Sequence, residues 1–371
     1  MTGSEEQAEQ VLVDAATGEL IRKPKHSTLA GAIDWQLAAR AGAALVPAGP
    51  RTSRYSAEQV VAELAEVSAR AEGPVREVSL LADDGAIPEA RIVDRPGWIH
   101  AAAASMTELT GVGAGEGGRL RGKPAGLQAG AMLAFLSTAI LGQYDPFSGP
   151  DGTLLLVAPN IVMVERALGV SSPADFRLWV CLHEVTHRVQ FSSAPWLGDY
   201  MKHNVEVLGD VGDEPLTEML SRLMDEVRER RSGDASADPA DRGVLGLLRA
   251  TQAPAQREAL DRLLMLGTLL EGHADHVMDA AGPAVIPTVE QIRQAFDQRR
   301  RRPANPLQRL LRALLGVDAK VAQYVRGKAF VDEVVGRVGM ARFNTVWTDA
   351  ETLPRTDEIA EPGRWIARVL G

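Results

Sequence analysis

Two histidines and a glutamate stand within one short stretch of the chain, in the order His183, Glu184 and His187. If the stretch is helical, the two imidazoles lie one turn apart on the same face, and both can reach one tetrahedral metal about 2.0–2.1 Å away. A carboxylate beside such a metal can take a proton from water that the metal has acidified. The spacing H-E-x-x-H therefore predicts a single Zn²⁺ site with Glu184 as general base.

The residues around this motif predict a helix that lies inside the protein. Ser172 and Pro173 are typical of a helix start, because a serine side chain caps the first backbone amides and proline fits the first turn. The positions that flank the histidines are apolar on nearly all sides: Phe176, Leu178, Trp179, Val180, Leu182, Val185, Val189 and Phe191. An unpaired imidazole is costly in such surroundings. A bound metal satisfies both rings, and we favour it over a helix with two polar residues on a solvated face.

A second polar group interrupts a long apolar helical pattern that begins near Gln256, and it comprises Glu271, His273, Asp275 and His276. Glu271 and Asp275 are four residues apart and share a helix face, whereas His273 lies about 200° around the helix from Glu271. We predict Glu271 as the third zinc ligand and Asp275 as the acceptor that orients a ligand histidine through its other nitrogen. His273 and His276 form a competing pair on another face.

Both segments resemble a known family. The matching stretches are H-E-V-T-H-R-V-Q-F, E-G-H-A-D-H-V-M-D and an early I-D-W, and the similarity runs from about residue 30 to the C-terminus. The chain resembles an actinobacterial group of zincin-like zinc metalloproteases or hydrolases that is associated with biosynthesis of the deazaflavin redox coenzyme. The resemblance implies a zincin-like fold with three zinc ligands, His183, His187 and Glu271. It also implies Glu184 as base, and Asp275 matches the acidic residue four positions after the glutamate ligand in Glu-zincins.

Composition restricts the class of protein. With 371 residues, of which 45% are hydrophobic, the chain is long enough for one large domain or two lobes with a sizeable core. A net charge of −9 argues against nucleic acid or an anionic membrane as partner, because phosphate binding needs a basic surface. The single cysteine, Cys181, excludes intrachain disulfides, and the acidic N-terminus lacks the features of a secretion signal. We therefore expect a cytoplasmic protein.

Local signals place further elements before the motif helix. Ser56 and Gln59 form a capping box that predicts a helix to about Glu72. The 18 residues from Ala125 to Gly142 carry no charge, which is the lower limit for a membrane span. Glycine and hydroxyl residues dilute this run. We therefore predict a buried helix of a large domain rather than a membrane span.

These elements predict a mainly helical (α+β) protein with a small mixed sheet next to the motif helix, and the resemblance implies that its fold is zincin-like. Residues 1–30 are expected to be a disordered polar tail, and 31–371 a single domain. Its lobes are approximately 31–192, with the sheet and the motif helix, and 193–371, which is helical and carries the third ligand. The clearest strand is 153–158. By analogy with zincins it is a candidate edge for extended substrate, and the alternative is a plain core strand.

The expected reaction is zinc-dependent hydrolysis of an amide, and a peptide is favoured over a small amide as substrate. Candidates for stabilising the oxyanion are Tyr324, His273 and His276. One alternative is a non-catalytic scaffold stabilised by zinc, in which a fourth protein ligand such as His273 closes the site. Another alternative is a non-peptide amide hydrolase linked to coenzyme metabolism.

Overall fold

A computed structural model of the chain describes residues 12–13, 20–21, 33–81, 88–110, 122–209, 253–301 and 317–371. Side chains are described from residue 33 onward, except those of 297–301 and 317–325. The predicted tail, residues 1–30, lies outside the described residues apart from two strands of two residues each. These are β1, Leu12–Val13, and β2, Leu20–Ile21, which pair antiparallel.

The described chain is mainly helical, as predicted. Its helices are α1 Trp35–Leu45, α2 Arg54–Arg70, α3 Glu72–Ser79, α4 Arg95–Thr110, α5 Lys123–Leu136, α6 Ala158–Leu168, α7 Pro173–Ser193, α8 Trp196–Gly209, α9 Pro254–Val285, α10 Val289–Arg301, α11 Val317–Val338, α12 Met340–Phe343, α13 Thr356–Ala360 and α14 Pro362–Trp365. Two 3₁₀ turns, Asn344–Trp347 and Ala350–Thr352, follow α12, and a π-helical turn, Ile366–Leu370, follows α14.

A three-stranded mixed sheet lies against these helices. It contains β3 Arg91–Val93, β4 Gly142–Asp145 and β5 Thr153–Val157 in the order β3-β5-β4. The central strand β5 runs parallel to β3 and antiparallel to β4. The small mixed sheet predicted next to the motif helix is therefore confirmed.

The position of β5 decides between the two interpretations of segment 153–158. Strand β5 is central and buried, so it is a core strand, and the expectation of a substrate-binding edge at this segment is wrong. Its unbroken apolar run is typical of a strand that is covered on both faces. Within the described sheet, β4 lies at the edge and contacts α7.

The sheet separates two hydrophobic cores. Leu154 and Leu156 of β5 belong to the larger core, together with α7, α9 and α11. Leu155 and Val157 point into a smaller core formed by α1, α4 and α5. Helix α5 buries one face against α1, while its large apolar residues Leu127, Met132 and Phe135 are exposed, so the predicted buried helix is only partly buried. Among the described residues, no helix combines the length and apolar character that a membrane crossing requires.

Helix α7 begins where its sequence predicts. The side chain of Ser172 accepts a hydrogen bond from the backbone amide of Asp175 at 3.2 Å, and Pro173 occupies the first turn. Helix α2 begins one turn earlier than expected. Its capping residue is Ser53, whose hydroxyl accepts from the amide of Ser56 at 3.1 Å. Two serines three residues apart offer the same capping chemistry, and the earlier one is used.

The helices α9 and α11 cross at backbone contact. A side chain at Gly272 would overlap the backbone of Gly327, and one at Gly327 would overlap the carbonyl of Thr268. Only glycine permits two helix axes to approach so closely. The crossing lies one residue after Glu271. It therefore helps to fix the position of the predicted third ligand relative to α11.

We expect Gly272→Ala to lower the free energy of unfolding by about 1–3 kcal/mol, because the added methyl group forces the two helices apart. Gly267→Ala is the matched control. Gly267 lies on the same helix, and a methyl group added there meets nothing within 4 Å, so alanine should be neutral or stabilising by up to about 1 kcal/mol. Chemical denaturation of both variants measures the difference. Equal stabilities would contradict the tight crossing.

Candidate metal centre

The structure brings three predicted residues together between α7 and α9. His183 and His187 lie one turn apart on α7, with their Nε2 atoms 3.2 Å apart and their rings at 88° to one another. The third residue, Glu271, belongs to α9. Its Oε2 lies 3.3 Å from His183 Nε2, and its Oε1 lies 3.9 Å from His187 Nε2. We call His183, His187 and Glu271 the triad.

The spacing of the triad fits a zinc ion. Two ligands bound at 2.0–2.1 Å in tetrahedral geometry stand about 3.3 Å apart, close to the observed separations. The facing lone pairs of two neutral imidazoles and a carboxylate repel one another unless a cation lies between them. Among the described residues, no other histidine, cysteine or acidic side chain joins the cluster. Three protein ligands leave the fourth position to water or substrate, as in catalytic zinc sites.

At neutral pH and without a metal, the charges around the triad favour one proton, held on His183. Burial opposes charge on His183, but the hydrogen bond and negative charge of Glu271 outweigh it and raise the pKa of His183 to about 9. Burial lowers the pKa of His187, and the neighbouring charge of His183 adds to that effect against the attraction of Glu271. A single cation therefore suits the site, whether it is a proton or a metal.

Glu184 lies buried against strand β4. Burial raises the pKa of its carboxyl group to about 7, with His183 acting in the opposite direction and Glu271 adding to the rise. The room for this carboxylate comes from Gly142, where a methyl group would lie 2.6 Å from Glu184 Cγ. Sequence reasoning missed this role, because Gly142 closes a charge-free run whose pattern indicates the end of a helix.

The outer nitrogens of the two histidines have partners other than Asp275. His187 Nδ1 lies 2.9 Å from Gln190 Oε1, and His183 Nδ1 lies 3.2 Å from the sulfur of Met278. The structure therefore differs from the predicted role of Asp275 as the acceptor for a ligand histidine. Asp275 contributes through its charge, which favours protonation of both rings. A glutamine three residues after the second histidine reaches the ring from the same helix, a signal that the sequence contained.

The remaining candidates lie apart from the triad. His273 is fully buried, and its Nδ1 lies 2.9 Å from Gln190 Nε2. His276 Nδ1 lies 2.7 Å from a carboxylate oxygen of Asp332. The side chain of Tyr324 lies outside the described residues, so its proposed role stays a prediction.

Comparisons with known proteins agree with this geometry. A family model for zincin-like metallopeptidases matches residues 33–366, a range that contains the triad and Glu184. A crystal structure from Chloroflexus aurantiacus, described as that of a "putative hydrolase with a novel fold", is similar to this chain with a TM-score of 0.61 and 29% sequence identity. That similarity covers 91% of this chain and 98% of the other. No curated protein matches the sequence.

We expect zinc binding to release about one proton near pH 7.5, because the metal must displace the proton that His183 holds below its raised pKa. Affinity should therefore rise about tenfold per pH unit up to about pH 9 and level off above it. Calorimetric titration in buffers of different ionisation enthalpy measures the released proton. Glu271→Gln removes a ligand as well as the charge that raises this pKa, so zinc binding should be weaker and should depend less on pH. An affinity that is constant between about pH 7 and 9 would contradict the assignment.

Proposed function

Because the chain belongs to the zincin-like metallopeptidase family, we propose that it is a zinc-dependent hydrolase whose preferred substrate is a peptide. One observation carries the proposal. The triad converges at metal-ligand spacing, with the buried carboxylate of Glu184 directly beside its first histidine. That arrangement supplies both a cation site and a base, the two components that metal-assisted hydrolysis of an amide requires.

The residues have separate tasks in this proposal. His183, His187 and Glu271 hold the zinc ion, and the carboxylate of Glu271 offsets part of its charge. Zinc held there supplies a Lewis acid that polarises an amide carbonyl and lowers the pKa of water. Helix α7 supplies two ligands in a fixed relation, so the third ligand from α9 completes the set.

Glu184 moves the proton. With a pKa near 7 it is substantially ionised at neutral pH and can accept a proton from the attacking water. The water oxygen bonds to the carbonyl carbon as the C=O π bond opens. When that carbonyl re-forms, the carbon–nitrogen bond breaks and Glu184 delivers the proton to the leaving amine. A carboxyl group whose pKa lies near the working pH can both accept this proton and give it up again.

Strand β4 favours a peptide as substrate. It lies at the edge of the described sheet, and a methyl group on its first residue, Gly142, would overlap the carboxylate of Glu184. An extended peptide that pairs with a sheet edge is held by its backbone and is therefore accepted with varied side chains. A small amide has too little backbone to pair with such an edge and would gain little binding energy from it.

Two alternatives remain distinguishable. A zinc-stabilised scaffold would need a fourth protein ligand, but among the described residues His273 does not join the cluster and its Nδ1 is hydrogen-bonded to Gln190. The resemblance to the group associated with deazaflavin biosynthesis makes a small amide of coenzyme metabolism the second candidate substrate. Screening peptide libraries and small amides with zinc-loaded and chelated protein separates these possibilities. Turnover of small amides alone would exclude the peptidase.

We expect Glu184→Gln to lower the turnover rate by about 10²–10⁴-fold while one zinc ion per chain stays bound. The substitution removes the base and leaves all three ligands. Metal analysis and the rate of peptide cleavage are measured on the same preparation. His187→Ala is the comparison variant and should lose zinc as well as activity. Full activity of Glu184→Gln would rule out the assignment of the base.

Gly142→Ala should lower kcat by about 10–100-fold with zinc retained, because the added methyl group displaces the Glu184 carboxylate from its position beside β4. The matched control is Gly198→Ala on α8, where a methyl group meets nothing within 4 Å, and its kcat should be unchanged. Steady-state kinetics and zinc content decide the outcome. If both variants have wild-type kcat, Gly142 does not position the base.

A further inference from the structure

We infer that Gln190 is a positioning residue, which selects the metal-binding tautomer of His187 and joins the helix of the third ligand to the motif helix. We further infer that His273 holds Gln190 in this orientation. The inference deepens the proposed function and rests on it only in taking zinc as the metal. Gln190 is buried with none of its surface exposed, and its amide group contacts three partners.

The orientation of the Gln190 amide follows from one of these partners. Its Nε2 lies 2.9 Å from the carbonyl oxygen of Leu270, which can only accept, so the amide nitrogen must be the atom that faces it. The amide oxygen then faces His187 Nδ1 at 2.9 Å. Because that oxygen can only accept, Nδ1 carries the proton.

The tautomer of His187 is thereby fixed. With its proton on Nδ1, the ring presents the lone pair of Nε2, the atom that lies 3.2 Å from His183 Nε2 and 3.9 Å from Glu271 Oε1. A metal-bound histidine is oriented by the hydrogen bond that its other nitrogen makes. Gln190 therefore prepares His187 to bind before any metal arrives.

The same amide connects the two helices of the site. Gln190 belongs to α7, and Leu270 immediately precedes Glu271 on α9. The hydrogen bond between them helps to set the position of α9 along the axis of α7. This hydrogen bond is therefore one of the contacts that hold the third ligand in register with the first two.

His273, Gln190 and His187 form a chain of hydrogen bonds, which we call the relay. Gln190 Nε2 also lies 2.9 Å from His273 Nδ1, which must accept because the amide nitrogen donates. The His273 ring is fully buried, stacked at 18° on Phe343 and edge-on to Trp347. Its Nε2 has no hydrogen-bond partner among the described residues, a cost that a phenylalanine there would avoid. The acceptor at Nδ1 gives a reason for histidine at this position.

The support of the two ligand histidines is therefore unequal. His183 Nδ1 has the Met278 sulfur as its neighbour, and a thioether is a weak acceptor. The neighbour of His187 Nδ1 is the amide oxygen of Gln190, and the nitrogen of the same amide group makes two further contacts that fix its orientation. Met278 is consequently a matched control, because it touches the outer nitrogen of the other ligand without belonging to the relay.

The first test needs no substitution. In the metal-free wild-type protein, ¹⁵N chemical shifts of the His187 ring should show a protonated Nδ1 and an unprotonated Nε2. This measurement does not depend on catalysis or on zinc. The reverse tautomer would overturn the inference even if the protein proved to be a zinc hydrolase. Absence of zinc binding by the wild type would instead defeat the proposed function.

The second test measures zinc affinity by competition with a chelator. Gln190→Met keeps the length of the side chain but removes the acceptor. It should weaken zinc binding by about 10–100-fold and allow the proton of His187 to move from Nδ1 to Nε2. His273→Phe preserves the aromatic stack and should cause a smaller loss in the same direction. Met278→Leu should change the affinity less than either. Equal affinities of Gln190→Met and Met278→Leu would overturn the inference.

The relay itself is tested by combination and rescue. In a Gln190→Met background, His273→Phe should cause no further loss of affinity, because it acts through Gln190. His273→Asn offers an oxygen acceptor near the position of Nδ1 and should restore affinity relative to His273→Phe. Additive effects of the two substitutions would contradict the relay. If Gln190→Met fails to fold, the His273→Phe and His273→Asn pair still decides the question.

Discussion

The convergence of two imidazole nitrogens and one carboxylate on a single point is the constraint on which the rest of the site depends. Such groups are unfavourable together inside a protein unless a cation occupies the space between them. The surrounding structure must therefore hold α7 and α9 at a fixed distance. It does so with glycine at the crossing of α9 and α11 and with a buried glutamine between α7 and α9.

The motif helix is also fixed from its other sides by buried ion pairs. Near its start, Arg177 pairs with Glu165 of α6 at 2.9 Å. Near its end, Arg188 pairs with Glu72 of α3 and donates to the carbonyl of Pro88 at 2.9 Å. Removing one partner of such a pair leaves a buried charge uncompensated, so these contacts discourage alternative packings of α7. Different residues of α7 thus carry the triad histidines and the ion pairs that anchor the helix.

Element starts with local causes were predicted to within one turn, whereas the place of a strand within its sheet was not. The start of α7 depends on Ser172 and Pro173, whose effects act within one turn, and the prediction agrees with the structure. The start of α2 was misplaced by one turn because Ser53 and Ser56 offer equal capping chemistry. The apolar run of β5 identified a strand, but edge or centre depends on which strands pair with it, and residues far along the chain decide that.

The sequence by itself determined the helical spacing of His183 and His187, the adjacent Glu184 and the share of apolar residues that makes a large helical core. These follow from the repeat of the helix, which is the same in every protein. Only the tertiary structure decided that Glu271 meets the histidines, that Gln190 rather than Asp275 contacts the outer nitrogen of His187, and that a glycine of β4 makes room for the Glu184 carboxylate. Contacts between separate elements depend on the packing of whole faces, which no single stretch of sequence specifies.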